Sequence, residues 1–167
     1  MDALAAGAGL EFKRRGAVSR AQGVVAGRDV TLAKPQAFMN RSGPIVADLV
    51  AGLGIELKDV IIVHDDLDLD PGRVRLKAHG GHGGHNGILA IITALETDQF
   101  ARVKLGVGRP PEGMEAEDYV LASVPAGERA VFDEAVGQAV LAVECWVSEG
   151  LAAAMNRFNV KPESEDR

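Results

Sequence analysis

A glycine-rich stretch, His79–Gly87, constrains the fold of this chain more than any other feature of its sequence. Glycine occupies four of the six positions before His85, and it permits positive φ angles and a close approach of the backbone to a partner. Asn86 then stands where an N-cap is expected, because an apolar run with helical spacing, Ile88–Leu95, follows it. Such a loop before a helix is typical of the rim of a sheet, where open α/β folds bind ligands. We therefore expect an imidazole and a carboxamide at a ligand-binding rim.

Length, composition and charge limit the class of protein. With 167 residues, 47% of them hydrophobic, the chain can build one full core. Its single cysteine excludes a disulfide framework and suits a reducing compartment. No apolar run approaches the roughly 20 residues of a membrane span, and no basic region followed by an apolar stretch opens the sequence. We expect a cytoplasmic protein without a membrane segment.

The formal net charge of −6 means that bulk electrostatics do not attract nucleic acid, so RNA binding would need a local basic patch. Two segments could supply the cations of such a patch. The first carries Arg73, Arg75 and Lys77, and the second carries Arg102, Lys104 and Arg109. Taken alone, such residues are more often scattered charges on a solvated strand face.

The order of apolar and turn-forming segments predicts a single α/β domain over residues 1–160, with a polar tail at 161–167. The predicted elements are a helix over Met1–Leu10, a hairpin of Gln22–Ala26 and Val30–Ala33, a helix from about Pro44 to Leu53 capped by Asn40 or Ser42, a strand over Val60–Val63 buried on both faces, a half-exposed strand over Arg73–Lys77, a helix over Ile88–Leu95, a strand over Val103–Gly108 and a helix over Glu128–Glu149.

Carboxylates follow directly on the predicted buried strand. Asp65 stands near its C-terminal end, where a carboxylate can orient and charge-stabilise an imidazole. For Asp66, Asp68 and Asp70 we favour the plainer interpretation that they are solvated loop acids.

Metal binding is the alternative for these acids and for the histidines. Asp66, Asp68 and Asp70 have the first ligand spacings of an EF-hand, but proline follows where the turn needs glycine and Lys77 replaces the bidentate glutamate. His79, His82 and His85 could form a zinc site on paper, yet flexible glycines separate them and no cysteine lies nearby. We expect no metal.

Two carboxamides, Asn40 and Asn86, each stand at a predicted helix start beside a Gly- or Ser-rich turn. A carboxamide offers a donor and an acceptor, which suits recognition of a peptide-like amide or polarisation of an ester carbonyl. Phe38, close to Asn40, has two interpretations: it stacks on an aromatic ring, or it joins the core as most phenylalanines do.

Four motifs together resemble the bacterial peptidyl-tRNA hydrolases, in that family's order and at its spacing, over about Met1–Phe158. They are Phe38-Met39-Asn40-x-Ser42-Gly43, His64–Asp68, Gly80–Gly87 and Phe100–Pro110. The resemblance implies a twisted, mixed sheet between helices. It also implies a monomeric, cytosolic, metal-free esterase without a cofactor, which cleaves the ester joining a peptide to the 3′ end of tRNA and so recycles stalled peptidyl-tRNA.

The resemblance also assigns catalytic roles. Asp65 would hold and stabilise the family's catalytic histidine. Asn40 and Asn86 would bind the carbonyl region of the substrate and its water, and His85 would support the wall of the site.

It assigns substrate-binding roles as well. Phe38 and Met39 would line the groove for the 3′ end of tRNA, while Lys77 and Lys104 would grip its terminal phosphate. The family often has arginine where Lys104 stands, so a point charge would replace a bidentate contact.

One part of the family pattern has no counterpart in residues 1–167. Family members begin with a strand, an Asn-Pro-Gly turn and a Thr-Arg-His-Asn segment whose histidine is the general base, whereas Met1–Leu4 corresponds to the interior of the first helix. We therefore expect little or no hydrolysis by these residues alone, whether an in-frame segment precedes Met1 or the chain is a short homologue.

Two further functions are alternatives to the hydrolase. One is a non-catalytic RNA-binding homologue, like the plant organelle splicing factors that resemble this family. Asp65, Asn40 and Asn86 favour the hydrolase, because RNA binding alone needs only the basic positions. The other is a small-molecule hydrolase, which would not explain Lys77 and Lys104.

Overall fold

The computed structural model describes residues 1–160 of an α/β protein, so the polar tail predicted at 161–167 lies outside the described residues. The helices are α1 Asp2–Gly7, α2 Ser42–Leu53, α3 Asn86–Leu95, α4 Ala116–Leu121, α5 Arg129–Glu149 and α6 Leu151–Phe158. The strands are β1 Lys13–Arg15, β2 Val18–Val25, β3 Arg28–Pro35, β4 Ile61–Asp66, β5 Val74–Lys77 and β6 Ala101–Gly106. Short 3₁₀ turns cover Met39–Arg41 and Leu57–Asp59. The α/β class is as predicted. Three elements, β1, α4 and α6, were not predicted from the sequence.

The strands form two three-stranded sheets, where the resemblance implied one mixed sheet. The first sheet is antiparallel in the order β1-β2-β3. Its predicted hairpin is confirmed but has a tighter turn, since only Ala26 and Gly27 separate the strands, at φ 49° and 80°. Positive φ at both turn residues matches the right-handed twist of the strands. The second sheet has the order β4-β6-β5.

The strand predictions for the second sheet hold in position but not fully in burial. Residues of β5 alternate as predicted, with Val74 and Leu76 buried and Arg75 exposed. By contrast, β4 was expected to be covered on both faces, yet each of its residues is only half-buried. β4 lies at the edge of its three-stranded sheet.

The chain divides into two compact units, residues 1–62 with 77–102 and residues 63–76 with the described residues from 103 onward. The core of the first unit lies where α2 packs on α3, around Val46, Ile88, Ile91 and Phe100. In the second unit, α5 packs against α6.

The long helix α5 confirms the prediction over Glu128–Glu149 almost residue for residue. Its buried stripe is narrower than predicted. Ala135, Ala139 and Val143 are buried, but Val131 and Val136 remain exposed.

Candidate active site

A close helix crossing in the first unit positions two of the four motifs. A Cβ at Gly43 would lie 2.0 Å from the carbonyl oxygen of Ala90, so only glycine lets α2 approach α3 this closely. The 3₁₀ turn just before α2 consequently packs against α3. At the start of α3, a Cβ on Gly87 would lie 3.1 Å from the Met39 sulfur. The structure thus brings Met39 and Asn40 to the N-terminus of α3.

The cap of α3 is His85, so the assignment of Asn86 as N-cap is wrong. The His85 Nδ1 accepts hydrogen bonds from the backbone N–H groups of Gly87, at 3.1 Å, and Ile88, at 3.2 Å. Because the imidazole does the capping, the exposed carboxamide of Asn86 is not needed to satisfy the backbone at the start of the helix.

The capping roles predicted for Asn40 and Ser42 are also wrong. Asn40 lies in the 3₁₀ turn with its side chain exposed, Ser42 is the buried first residue of α2, and Arg41 occupies the N-cap without a side-chain cap bond. The plainer interpretation of Asn40, that of a helix cap, is therefore removed.

Large apolar side chains stand exposed beside Asn40. Phe38 is 79% exposed and Met39 is 56% exposed, so Phe38 does not join the core. An exposed aromatic ring and thioether next to a carboxamide suit stacking on a planar ligand together with recognition of a carbonyl.

The glycine-rich loop is held by Arg102, a role that the sequence interpretation missed. Arg102 was a candidate for a basic surface patch, but it is only 2% exposed. Its Nη1 donates to the Gly81 carbonyl oxygen at 2.7 Å and its Nη2 to the Gly80 carbonyl oxygen. Its guanidinium also lies 4.7 Å from the centre of the Phe100 ring. The available signal was an arginine between Ala101 and Val103 in an apolar run.

The second unit carries the acidic motif, with Asp65 and Asp66 at the end of β4 as predicted. The His64 Nδ1 donates to the Asp65 carbonyl oxygen at 2.6 Å, and the Asp65 side chain is half-buried.

Asp66 is not the solvated acid that we expected. Its side chain is 9% exposed, and it forms an ion pair with Lys104, whose side chain is 19% exposed. Burial raises the pKa of Asp66, but the Lys104 ammonium and the Asp68 backbone N–H together outweigh burial and leave that pKa below its usual value. Asp68 is exposed, as expected, and pairs at 2.5 Å with the exposed Arg109.

The cations predicted to grip phosphate therefore differ in their surroundings. Lys104 already has a carboxylate partner. Lys77 is half-buried and has no ion pair within residues 1–160. A phosphate at Lys104 would therefore compete with the Asp66 carboxylate for the same ammonium group.

Two searches of the described residues complete the picture. In residues 1–160 no group of three or more His, Cys, Asp or Glu side chains is arranged to hold a metal ion. The described helices include none that is long and apolar enough to cross a membrane.

The first unit thus carries two exposed carboxamides, an exposed aromatic ring and an exposed thioether near the start of α3. Comparison with known proteins gives the family. The family model described as peptidyl-tRNA hydrolase matches residues 1–166. The peptidyl-tRNA hydrolase of Chloroflexus aggregans is 42% identical over 161 residues, which are 95% of this chain and 86% of that protein. That of Mycobacterium tuberculosis is 41% identical over 95% of this chain and 84% of its own length.

A solved structure agrees with these sequence relatives. The crystal structure of peptidyl-tRNA hydrolase from Acinetobacter baumannii superposes with a TM-score of 0.88 at 34% identity, over 95% of this chain and 82% of that one. The chain belongs to the peptidyl-tRNA hydrolase family, and the resemblance inferred from four motifs is confirmed.

Proposed function

We propose that this protein hydrolyses the ester bond between peptide and tRNA in peptidyl-tRNA, which recycles tRNA from stalled or aborted translation. Family membership supports the reaction. The observation that carries the site assignment is the contact between Met39 and the start of α3 at Gly87, because it gathers two otherwise separate carboxamides into one unit.

Asn40 and Asn86 act on the ester carbonyl in this proposal. Both side chains are exposed, and neither caps a helix. Their N–H groups donate to the carbonyl oxygen, which becomes an oxyanion when water attacks the carbonyl carbon. The bond to the ribose oxygen then breaks, leaving a peptide carboxylate and a tRNA hydroxyl.

Phe38 and Met39 bind the 3′ end of the tRNA. Stacking of a base on an exposed aromatic ring is worth about 1–3 kcal/mol and tolerates any sequence. Lys77 contacts phosphate, and Lys104 does so in competition with its ion-pair partner Asp66. His85 supports the wall of the site by capping α3.

In the family pattern, Asp65 would orient the imidazole of the general base and stabilise the imidazolium that forms. Residues 1–167 contain four histidines, at 64, 79, 82 and 85, and the family pattern assigns the base to none of them. General-base assistance is worth about 10²–10⁴-fold, so residues 1–167 alone turn over slowly.

The alternative of a non-catalytic RNA-binding homologue is not favoured, because the relatives that match most of the chain are named as hydrolases. We also propose that the protein acts as a monomer in the cytoplasm, without a metal ion.

The test is hydrolysis of N-acetyl-aminoacyl-tRNA by purified residues 1–167, with the Chloroflexus aggregans relative as reference. We expect release of the N-acetylated amino acid above the rate in buffer but about 10²–10⁴-fold below the reference. Asp65→Asn lowers the rate further if a resident histidine substitutes for the base. No release, together with no preference for peptidyl-tRNA over deacylated tRNA, would contradict the proposed function.

A further inference from the structure

One face of the antiparallel sheet carries three cations, Lys13, Arg15 and Arg20, which we call the basic face. The register pairs Lys13 with Arg20 and Arg15 with Val18. Directly paired residues point to the same side of a sheet, as do alternate residues of one strand. The three cations therefore share a side, while Arg14 points to the other.

None of the three cations is neutralised within the described part of the chain. Lys13 and Arg15 are exposed and Arg20 is half-buried, and none of them has an ion pair or a side-chain hydrogen bond among residues 1–160. They line an open groove of about 520 Å³. Glu11 is the acidic residue among the residues that line it. The groove is thus positive in a chain whose net charge is −6.

The pairing of Lys13 with Arg20 does not help the sheet to fold. Like charges directly opposite each other on neighbouring strands are destabilising. An anion bound between them relieves this repulsion, and arginine presents a planar fork that matches the oxygens of a phosphate. Charge and geometry both point to a phosphate-rich ligand.

The basic face leads to the candidate active site within the same unit. Val18, opposite Arg15, is also opposite Pro35 of β3, three residues before Phe38. Two strand spacings of about 4.8 Å and three extended residues of at most about 3.6 Å each place Arg15 within about 20 Å of Phe38. One strand of a duplex carries a phosphate for about every 3.4 Å of helix axis, so several phosphates fit within that span.

We propose that the basic face binds the phosphodiester backbone of tRNA at a distance from the 3′ end. The placement rests on the proposed function, in which the 3′ end lies at Phe38. Lys13, Arg15 and Arg20 add affinity without reading sequence, because phosphate contacts fix position rather than identity.

The test compares two ligands, full-length deacylated tRNA and the tetranucleotide ACCA, by fluorescence anisotropy over a range of salt concentrations. Lys13→Gln, Arg15→Gln and Arg20→Gln should each weaken tRNA binding and reduce the slope of log affinity against log salt by about 0.9. Binding of ACCA should not change. Arg14→Gln is the matched control, since it removes the same charge from the same strand on the opposite face, and it should leave both ligands unaffected.

An unchanged slope in all three variants, or an equal loss in Arg14→Gln, would overturn the proposal, as would an equal loss for ACCA. Circular dichroism checks that each variant folds. Should peptidyl-tRNA show no preference over deacylated tRNA while tRNA binding still depends on the basic face, the proposed function fails and this inference stands.

Discussion

His85 and Asn86 are neighbours with different tasks at the start of α3. Because the His85 Nδ1 accepts two backbone N–H groups, His85→Ala should lower the free energy of unfolding by about 0.5–2 kcal/mol. His85→Asn should restore most of that loss, since asparagine is a preferred N-cap. Chemical denaturation measures both, and equal stabilities of the two variants would show that the cap contributes nothing.

Asp66 is the ion-pair partner of Lys104, so it would compete with a phosphate for that ammonium group. Asp66→Asn keeps an oxygen for the Asp68 N–H but removes the negative charge, so Lys104 becomes free to contact phosphate. We expect the salt dependence of tRNA binding to steepen by about one unit of slope. Asp68→Asn, the same change of charge at an exposed pair, is the control, and an equal effect there would refute a specific role for Asp66.

The same residue makes a prediction about pH. The folded-state pKa of Asp66 lies below its unfolded value of about 3.9. The carboxylate therefore stabilises the fold above that unfolded value, and this stabilisation is lost as the pH falls through the folded pKa. Asp66→Asn should show a shallower loss of unfolding free energy below about pH 4 than the unsubstituted chain.

At the scale of elements, the crossing of α2 and α3 positions the site. A methyl group at residue 43 would meet the Ala90 carbonyl at 2.0 Å, so Gly43→Ala must push the helices apart. We expect it to lower the free energy of unfolding by about 1–3 kcal/mol or more. Gly52→Ala, on the same helix with nothing within 4 Å of the new methyl group, should stabilise by about 0.5–1 kcal/mol. Thermal denaturation of both variants tests this, and similar melting temperatures would contradict the crossing.

The sequence predicted most elements but misplaced their ends. Periodicity located α3 and α5, because an apolar stripe at helical spacing needs no tertiary information. Capping preferences then pointed to Asn86, Asn40 and Ser42. The structure uses His85 instead of Asn86 for α3, because the imidazole reaches two N–H groups in a loop geometry that only the fold determines. The N-cap of α2 is Arg41, which makes no side-chain cap bond.

Short and partnered elements were not predictable in the same way. All three residues of strand β1 are exposed, and the strand depends on pairing with β2. Its sequence therefore lacks the alternation of apolar and polar residues by which a strand is predicted. The half-burial of β4 depends on which elements cover its faces, and not on its apolar sequence. Propensity does not encode either context.

For the molecule as a whole, motifs identified the family before any coordinates did. What they could not give is the electrostatic state of each residue. Lys104 and Asp66 looked like a surface cation and a solvated acid, yet they are partners. Arg102 looked like part of a basic patch, yet it is buried and holds the glycine-rich loop. These differences come from contacts between residues far apart in sequence.

In the proposed function, Asn40 and Asn86 recognise the carbonyl between peptide and tRNA. The most direct measurement compares the Kd of residues 1–167 for deacylated tRNA and for a tRNA whose peptide is held by an uncleavable 3′-amide. We expect the peptidyl form to bind at least about fivefold more tightly, the worth of one hydrogen bond of about 1 kcal/mol. Asn86→Asp should abolish that preference and leave the salt slope unchanged, because a carboxylate cannot donate to a carbonyl. Equal affinities for the two tRNAs, or a preference that survives Asn86→Asp, would contradict recognition of the carbonyl by these two carboxamides.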